Sequence, residues 1–315
     1  MKPPLLALQG AHVRFTTAQG IVQAVRGVDL AIHRGEAVGL VGESGSGKST
    51  TGMAMLALQR LTSGRLLFDG EDITDWPERR VRPLRRRMQP VLQDPRAALN
   101  PRMTIGESVA EPLIVHRLAS RAELPEKVLS LLDDVGLNAR YLDRYPAQMS
   151  GGELQRAAIA RALASSPEVL VLDEPISALD VSVGAQVLNL LADLRDRRGL
   201  SYLFIAHDLH AVAHLCDRAA VMYMGRVVER GPAGAVIDRP THPYAKALIA
   251  SIPDPFRDND NARLQLNGDP PSALNPPSGC ALHPRCPVAE QRCAVEAPAL
   301  LQRADGRHVA CFAAE

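Results

Sequence analysis

Gly42-Glu-Ser-Gly-Ser-Gly-Lys-Ser-Thr50 lies between an apolar run, Ala37-Val-Gly-Leu-Val41, and the stretch Thr51-Gly-Met-Ala-Met-Leu-Ala-Leu58. The first flank reads as a buried strand and the second as a helix, the context that the spacing GxxxxGKS/T requires. Glycines let successive backbone N–H groups turn inward around an anion, and the helix N-terminus adds its partial positive charge. Lys48 supplies a full charge for the outer phosphates, and the Ser49 hydroxyl can ligate Mg²⁺. Gly42, Glu43, Ser44, Gly45, Ser46, Gly47, Lys48, Ser49 and Thr50 are therefore expected to cradle a nucleoside triphosphate.

The bulk properties around this loop narrow the class. The 315 residues are 46% hydrophobic and 23% charged, ordinary for a globular chain with one large α/β core and a smaller appendage. With 36 basic and 35 acidic side chains the net charge is +1, so no global field calls for nucleic acid or an anionic membrane. Aromatics at 3% argue against a base-stacking surface. No apolar run approaches the length of a membrane span, and Met1-Lys-Pro-Pro-Leu5 lacks a secretory core. A cytoplasmic protein is expected, reaching a membrane only through a partner.

Upstream of the loop, residues 1–36 partly alternate and read as β-structure. Phe15 falls there; it fits a half-buried strand position and could also stack on an adenine ring. Gly64-Arg-Leu-Leu-Phe-Asp-Gly70 is hairpin-like, and the run Arg79, Arg80, Arg82, Arg85, Arg86 and Arg87 reads as a solvated face. Met88-Gln-Pro-Val-Leu-Gln93 reads as a strand ending in Gln93, a side chain able to reach a metal or an attacking water. Residues 94–148 open with turn formers and continue with helical patterns such as Pro125–Gly136, which points to a mostly helical insertion.

Ser150-Gly-Gly152 heads an alanine-rich helical stretch. A hydroxyl, flexible N–H groups and a helix N-terminus make a second anion site; the spacing Ser150-x-x-Glu153 fits a capping box equally well. Val169-Leu-Val-Leu-Asp-Glu174 is an apolar strand ending in two carboxylates, as a central parallel strand would, with its carboxyl end where ligands bind. Asp173 is expected to hold Mg²⁺ through water and Glu174 to orient and polarise the attacking water. Asp180 precedes a helix through residues 187–194, and the apolar strand Ser201–Ala206 ends in His207, on the side where the other candidates fall.

Gly42–Thr50, Gln93, Ser150-Gly-Gly, Asp173-Glu174 and His207, in that order, resemble the nucleotide-binding subunit of an ATP-binding cassette (ABC) transporter over essentially the whole chain. The resemblance implies the ABC ATPase fold: an α/β phosphate-loop core, a β-rich N-terminal part and a helical insertion. It implies head-to-tail pairing of two cassettes, in which Ser150, Gly151 and Gly152 of one close on the γ-phosphate held by the other. It places Phe15 at the adenine-stacking position, Asp180 in a loop crossing the dimer interface, and Glu174, His207 and Gln93 in the catalytic set. Mg²⁺ then falls to Ser49, Gln93 and Asp173. The signature commonly reads Leu-Ser-Gly-Gly-Gln in the family and Met149-Ser-Gly-Gly-Glu153 here; the added carboxylate is unfavourable near a triphosphate unless it points away or caps its own helix.

The last third is similar to the extension on ATPases of oligopeptide and dipeptide importers, as are Gln93-Asp-Pro, Ala98–Met103 and Ala178–Val183. The expected division is a nucleotide-binding domain over 1–250, with a helical subdomain at about 94–150, and an extension over 251–315 that begins with the linker Ile252–Asn261. Implied partners are a second cassette (a copy or a paralogue), two transmembrane permease subunits and, indirectly, a substrate-binding protein, at the cytoplasmic face of the inner or plasma membrane. Importers of nickel and other small solutes use similar ATPases. A soluble ABC ATPase acting on nucleic acid or ribosomes would usually show two cassettes, a coiled-coil insertion or a basic excess.

Cys216 reads as a small buried residue, whereas Cys280, Cys286, Cys293 and Cys311 share the tail with the spacing C-x5-C-x6-C-x17-C. Disulfides do not suit a reducing cytoplasm, and four thiols in a proline-rich segment without its own core suggest a metal staple. A 4Fe–4S cluster and tetrahedral Zn²⁺ both take four cysteines. The absence of C-x2-C pairs and the subfamily resemblance favour Fe–S; His283 is an alternative ligand.

Overall fold

The computed structural model describes residues 3–251 and 266–314; the expected linker, residues 252–261, lies outside them. In chain order the elements are β1 (Leu6–Thr17), β2 (Gly20–Ile32), β3 (Ala37–Val41), α1 (Lys48–Met55), β4 (Ser63–Phe68), β5 (Glu71–Asp72), α2 (Glu78–Arg85), β6 (Met88–Val91), α3 (Pro95–Ala98), α4 (Ile105–Val115), α5 (Leu124–Asp134), α6 (Gly151–Leu163), β7 (Val169–Asp173), α7 (Val181–Arg198), β8 (Ser201–Ala206), α8 (Leu209–Leu215), β9 (Arg218–Tyr223), β10 (Arg226–Pro232), α9 (Ala233–Asp238), α10 (Pro243–Ala250), β11 (Leu301–Gln302) and β12 (His308–Val309). Two compact units result, one of residues 1–31, 38–74 and 206–315, the other of residues 32–37 and 75–205.

In the first unit, β1 pairs antiparallel with β4, and β4 with β5. The alternating N-terminal pattern thus forms a β-layer whose inner face buries Leu6, Leu8, Val13, Val25, Val28 and Leu30. β3 runs parallel to β9, and β9, β10, β12 and β11 follow antiparallel. All five residues of β3 are buried, as its unbroken apolar run requires. Leu301–Gln302 and His308–Val309 are two-residue strands that the proline-rich sequence did not announce; they extend the sheet edge at β10.

In the second unit, β6, β7 and β8 are parallel neighbours. β7 is buried at every residue. The 94–148 region is helical, as its spacing indicates. Thr104 caps α4 with a capping box, and α5 buries Val128, Leu131 and Leu132 before ending near Gly136 at φ 72°. The basic run is a surface: Arg80 stacks 3.6 Å from the Trp76 ring centroid, and Arg85 pairs with Glu78. Arg87 pairs with Glu168.

Three boundaries differ from the sequence reading. The helix after the glycine loop starts at Lys48, three residues early, and ends at Met55. The loop closes directly into that helix, because Thr51 N–H and Oγ1 both bond Gly47 O at 2.9 Å. β6 stops at Val91, so Gln93 lies beyond the strand. β7 stops at Asp173, because Glu174 turns out of strand geometry at φ 48°. Cys216 is 8% exposed, the small buried residue its setting suggests.

Candidate functional site

In the first unit, β3 delivers the chain into the loop at residues 42–47, and α1 takes it away. Glycine is required at two points. At Gly42 (φ 155°) a Cβ would lie 2.2 Å from Met222 O, and at Gly47 (φ 102°) 2.2 Å from Ala24 O. The backbone is thereby pressed onto β2 and β9. Lys48 is 5% exposed, and its Nζ donates to Gly42 O at 2.8 Å and Glu43 O at 2.9 Å. Ser46 is 4% exposed, and its Oγ is buried with no hydrogen-bond partner. An orphaned hydroxyl, a buried ammonium and a cradle that no Cβ could share are the features a phosphate-binding loop must have. Ser44, Gly45, Ser49 and Thr50 complete the stretch, with Ser49 and Thr50 in the first turn of α1. Phe15 lies on β1 and is 38% exposed, open enough to stack on a ring. His207 is exposed directly after β8, where Asp208 caps α8 by accepting from the N–H groups of His210 and Ala211.

Glu43 has partners that the sequence did not suggest. Its N–H donates to Tyr244 Oη at 2.7 Å, and its carboxylate accepts from Arg285 Nη1 at 3.3 Å. Neither Tyr244 nor Arg285 carries a recognisable motif, although Arg285 falls between two of the tail cysteines.

In the second unit, parallel pairing of β6 with β7 places the segments after both strands side by side. Gln93 Nε2 donates to Glu174 Oε2 at 2.9 Å. Glu174 holds a left-handed backbone conformation, uncommon for a residue with a Cβ and costing on the order of 1–3 kcal/mol. It is fixed by its N–H on Ile205 O at 2.9 Å and by Ser177 Oγ on its carbonyl at 3.0 Å. Asp173, 8% exposed, ends β7.

Ser150 caps α6, with Glu153 closing the box. Glu153 Oε2 accepts from Ser150 N–H and Oγ, both at 2.8 Å, and Oε1 accepts from Tyr141 Oη at 2.5 Å. These bonds, Tyr141's first, hold the Glu153 carboxyl below its ordinary range. The extra carboxylate therefore caps its own helix. Gly152 has a packing reason as well, since a Cβ there would lie 2.3 Å from Val183 Cγ1 on α7. Gly151 at α6 is less crowded, at 3.3 Å from Leu179 Cδ2. Asp180 caps α7, accepting from Val183 N–H at 2.9 Å and Ser182 Oγ at 2.8 Å.

The tail cysteines are all free thiols of intermediate burial. Cys280 N–H donates to Cys293 O at 2.8 Å, and His283 Nδ1 meets Cys280 O at 3.0 Å. Burial pushes the thiols of Cys280, Cys286 and Cys311 up, favouring S–H over thiolate. Among the described residues no group of three or more His, Cys, Asp or Glu side chains is arranged to hold a metal ion. The four-cysteine centre expected from the sequence is therefore not disposed here as a ligand set. Among those residues no helix is long and apolar enough to cross a membrane.

A family profile described as ABC transporter matches residues 25–177, and one described as oligopeptide/dipeptide transporter, C-terminal region, matches residues 228–293. The chain is 48% identical over 301 residues to the probable peptide ABC transporter ATP-binding protein y4tS of Sinorhizobium fredii, covering 94% of this chain and 84% of that one. It is 44% identical to the dipeptide transport ATP-binding protein DppF of Haemophilus influenzae, covering 98% and 96%. Identity is also 44% with the oligopeptide transport ATP-binding protein AppF of Bacillus subtilis, covering 94% and 91%. Among solved structures, a dimeric post-hydrolysis state of the ATP-binding cassette MJ0796 bound to ADP and Pi gives a TM-score of 0.67 at 30% identity, over 72% of this chain and 98% of that one. The cbiO1 cassette from Clostridium perfringens gives 0.68 at 28% identity, over 76% and 92%. With the glycine cradle, the Gln93–Glu174 pair and a capped Ser150-Gly-Gly helix already in place, these likenesses make the chain an ABC-transporter ATPase, a member of the branch that carries the oligopeptide/dipeptide transporter C-terminal region.

Proposed function

We propose that this ATPase powers the import of peptides, its cargo being selected by other subunits. The observation that carries the reading is the loop at Gly42–Lys48, with its orphaned Ser46 hydroxyl and buried Lys48 ammonium. Lys48 trades its two carbonyl partners for the outer phosphates, and the loop N–H groups hold the rest. Phe15 stacks on the adenine. Ser49, Gln93 and Asp173 hold Mg²⁺, which when bound neutralises developing charge on the phosphates. Glu174, strained and gripped by Gln93, orients the attacking water, and His207 supports the γ-phosphate. The relatives' names, in which peptide and dipeptide transport recur, support the cargo class.

On the same reading two cassettes, identical or paralogous, pair so that Ser150, Gly151 and Gly152 of one close on nucleotide held by the other, with Asp180 at the crossing. The helical subdomain at about 94–150 and the loop Asp94–Pro101 face two membrane-spanning permeases at the cytoplasmic face, and a binding protein delivers cargo from the far side. Residues 1–250 form the nucleotide-binding domain and 251–315 the extension. The number of tail thiols and their spacing in a proline-rich segment support a metal staple, 4Fe–4S or Zn²⁺, that would form once the thiols deprotonate and converge. Iron and sulfide assays on anaerobically purified protein test this: zinc discards the cluster, and the absence of metal discards the staple.

The hydrolytic assignment is tested in the assembled transporter. Glu174→Gln keeps the shape and the hydrogen bond to Gln93, so ATP binding persists while steady-state hydrolysis falls about a hundredfold or more. Turnover near the unaltered rate removes Glu174 from the mechanism.

A further inference from the structure

A carboxylate in a triphosphate-binding loop is an electrostatic liability, because Glu43 would repel the ligand that its own backbone helps to hold. The structure answers this from the far end of the chain. Arg285, with its side chain 10% exposed, points Nη1 at Glu43 Oε2 from 3.3 Å. It is held from several sides: its Nε donates to Gly268 O at 3.2 Å, its N–H to Leu282 O at 2.8 Å, and its carbonyl accepts from Asn267 N–H at 3.0 Å.

The contact belongs to a closed ring of interactions. Arg285 Nη1 also reaches Tyr223 Oη at 3.4 Å, and its guanidinium lies 6.0 Å from the Tyr223 ring centroid. Tyr223 packs against Tyr244 with centroids 4.5 Å apart. Tyr244 Oη accepts the Glu43 N–H at 2.7 Å, which returns the ring to the loop. On its other side the Glu43 carbonyl accepts from Lys48 Nζ at 2.9 Å and from Ser46 N–H at 3.2 Å. Glu43 thus links the tail to the two loop residues best placed to meet phosphate.

We propose that Arg285 is a positioning residue for nucleotide binding, neutralising the Glu43 carboxylate and, with Tyr223 and Tyr244, setting the conformation of the phosphate loop from the C-terminal extension. This rests on the reading of residues 42–50 as the ATP site.

The test measures ATP affinity of the full chain by calorimetry for the unaltered protein, Arg285→Gln, Arg285→Lys, Glu43→Gln and the double variant Arg285→Gln/Glu43→Gln. Arg285→Gln weakens binding about tenfold, the size of one partly exposed ion pair turned into an unscreened like charge. Arg285→Lys keeps most of the affinity because the charge remains. Glu43→Gln alone supplies the reference affinity, and the double variant matches that reference to within about threefold. A merely structural role for Arg285 would leave the double variant as weak as Arg285→Gln, and that result overturns the proposal, as does unchanged affinity in Arg285→Gln. Should Arg285→Gln fail to fold, Arg285→Met with and without Glu43→Gln decides: recovery in the double variant supports charge neutralisation, and equal loss in both refutes it. Absence of ATP binding by the unaltered chain would instead discard the ATP site itself.

Discussion

Arg307 and Glu229 offer a perturbation whose size follows from burial. Glu229 on β10 has a side chain with 0% exposure, and Arg307, just before β12, has 9%, with Nη1 3.2 Å from Oε1. The same Nη1 donates to Ala235 O at 3.3 Å and to Arg239 O, and two amides, Thr241 N–H and His242 N–H, complete the carboxylate's shell. Arg307→Met keeps the apolar stem and leaves the carboxylate with its two amides and the Lys246 charge, at a cost of about 3–5 kcal/mol. Burial already raises the Glu229 pKa above 4.5, partly offset by the two amides and by Arg307. A raised carboxyl contributes stability that is complete below its ordinary value and is lost as pH climbs through the folded value. Removing Arg307 raises that value further. The gap between variant and unaltered protein is therefore widest on the alkaline side and closes on acidification as Glu229 takes up its proton. Urea unfolding from alkaline pH down towards the ordinary carboxyl range reads the gap, and Glu229→Gln/Arg307→Met should be more stable than Arg307→Met. A gap independent of pH, or a single variant as stable as the unaltered chain, refutes the account.

Two further outcomes follow from packing and protonation. His242 is 1% exposed, and burial pushes its pKa down to about 3, so below about pH 6.5 the unfolded chain takes up a proton that the folded chain refuses. Stability should then fall by about 1.4 kcal/mol per pH unit between pH 6 and 5, a slope that His242→Asn, which retains a helix cap, removes. Gly152→Ala drives a Cβ to within 2.3 Å of Val183 Cγ1, so α6 and α7 must separate at about 1–3 kcal/mol in thermal unfolding. Val183→Ala in the same chain should restore most of that, and a Gly152→Ala protein of unaltered stability refutes the close approach.

What the sequence made legible is what local chemistry encodes. The glycine loop, the apolar strands at 37–41, 169–173 and 201–206, and the helix beginning at Ser150 are each written in a contiguous stretch, and each appears with boundaries shifted by a few residues at most. The two readings of Ser150-Gly-Gly were equally legible. The structure fills the capping role with Glu153 and adds a reason for Gly152 that lies on α7, 31 residues away at Val183. Less visible were features that depend on pairing over distance. The left-handed turn at Glu174 depends on a hydrogen bond to Ile205, and no pattern near residue 174 announces it. The tail misled most. Its prolines and scarce apolar side chains suggested a segment ordered mainly by its thiols. Its described residues are instead held to the rest of the first unit by β12 on β10, by Gln23 N–H on Ala273 O at 3.1 Å, and by Arg285 and Arg307 reaching buried partners. Arginine anchors of this kind look like any surface arginine in a sequence.

The antiparallel seat of β12 on β10 bears on the order in which the protein can be made. Glu229 and Arg307 are 78 residues apart in the chain. During synthesis β10 therefore emerges with one side unpaired and a buried-type carboxylate lacking its arginine, and both conditions last until residues 307–309 have left the ribosome. An unpaired strand edge is a template for another copy of the same strand. Chains interrupted just before Arg307 would keep every nucleotide-binding motif and still present that edge, so stops there should yield aggregates rather than a shortened, working ATPase.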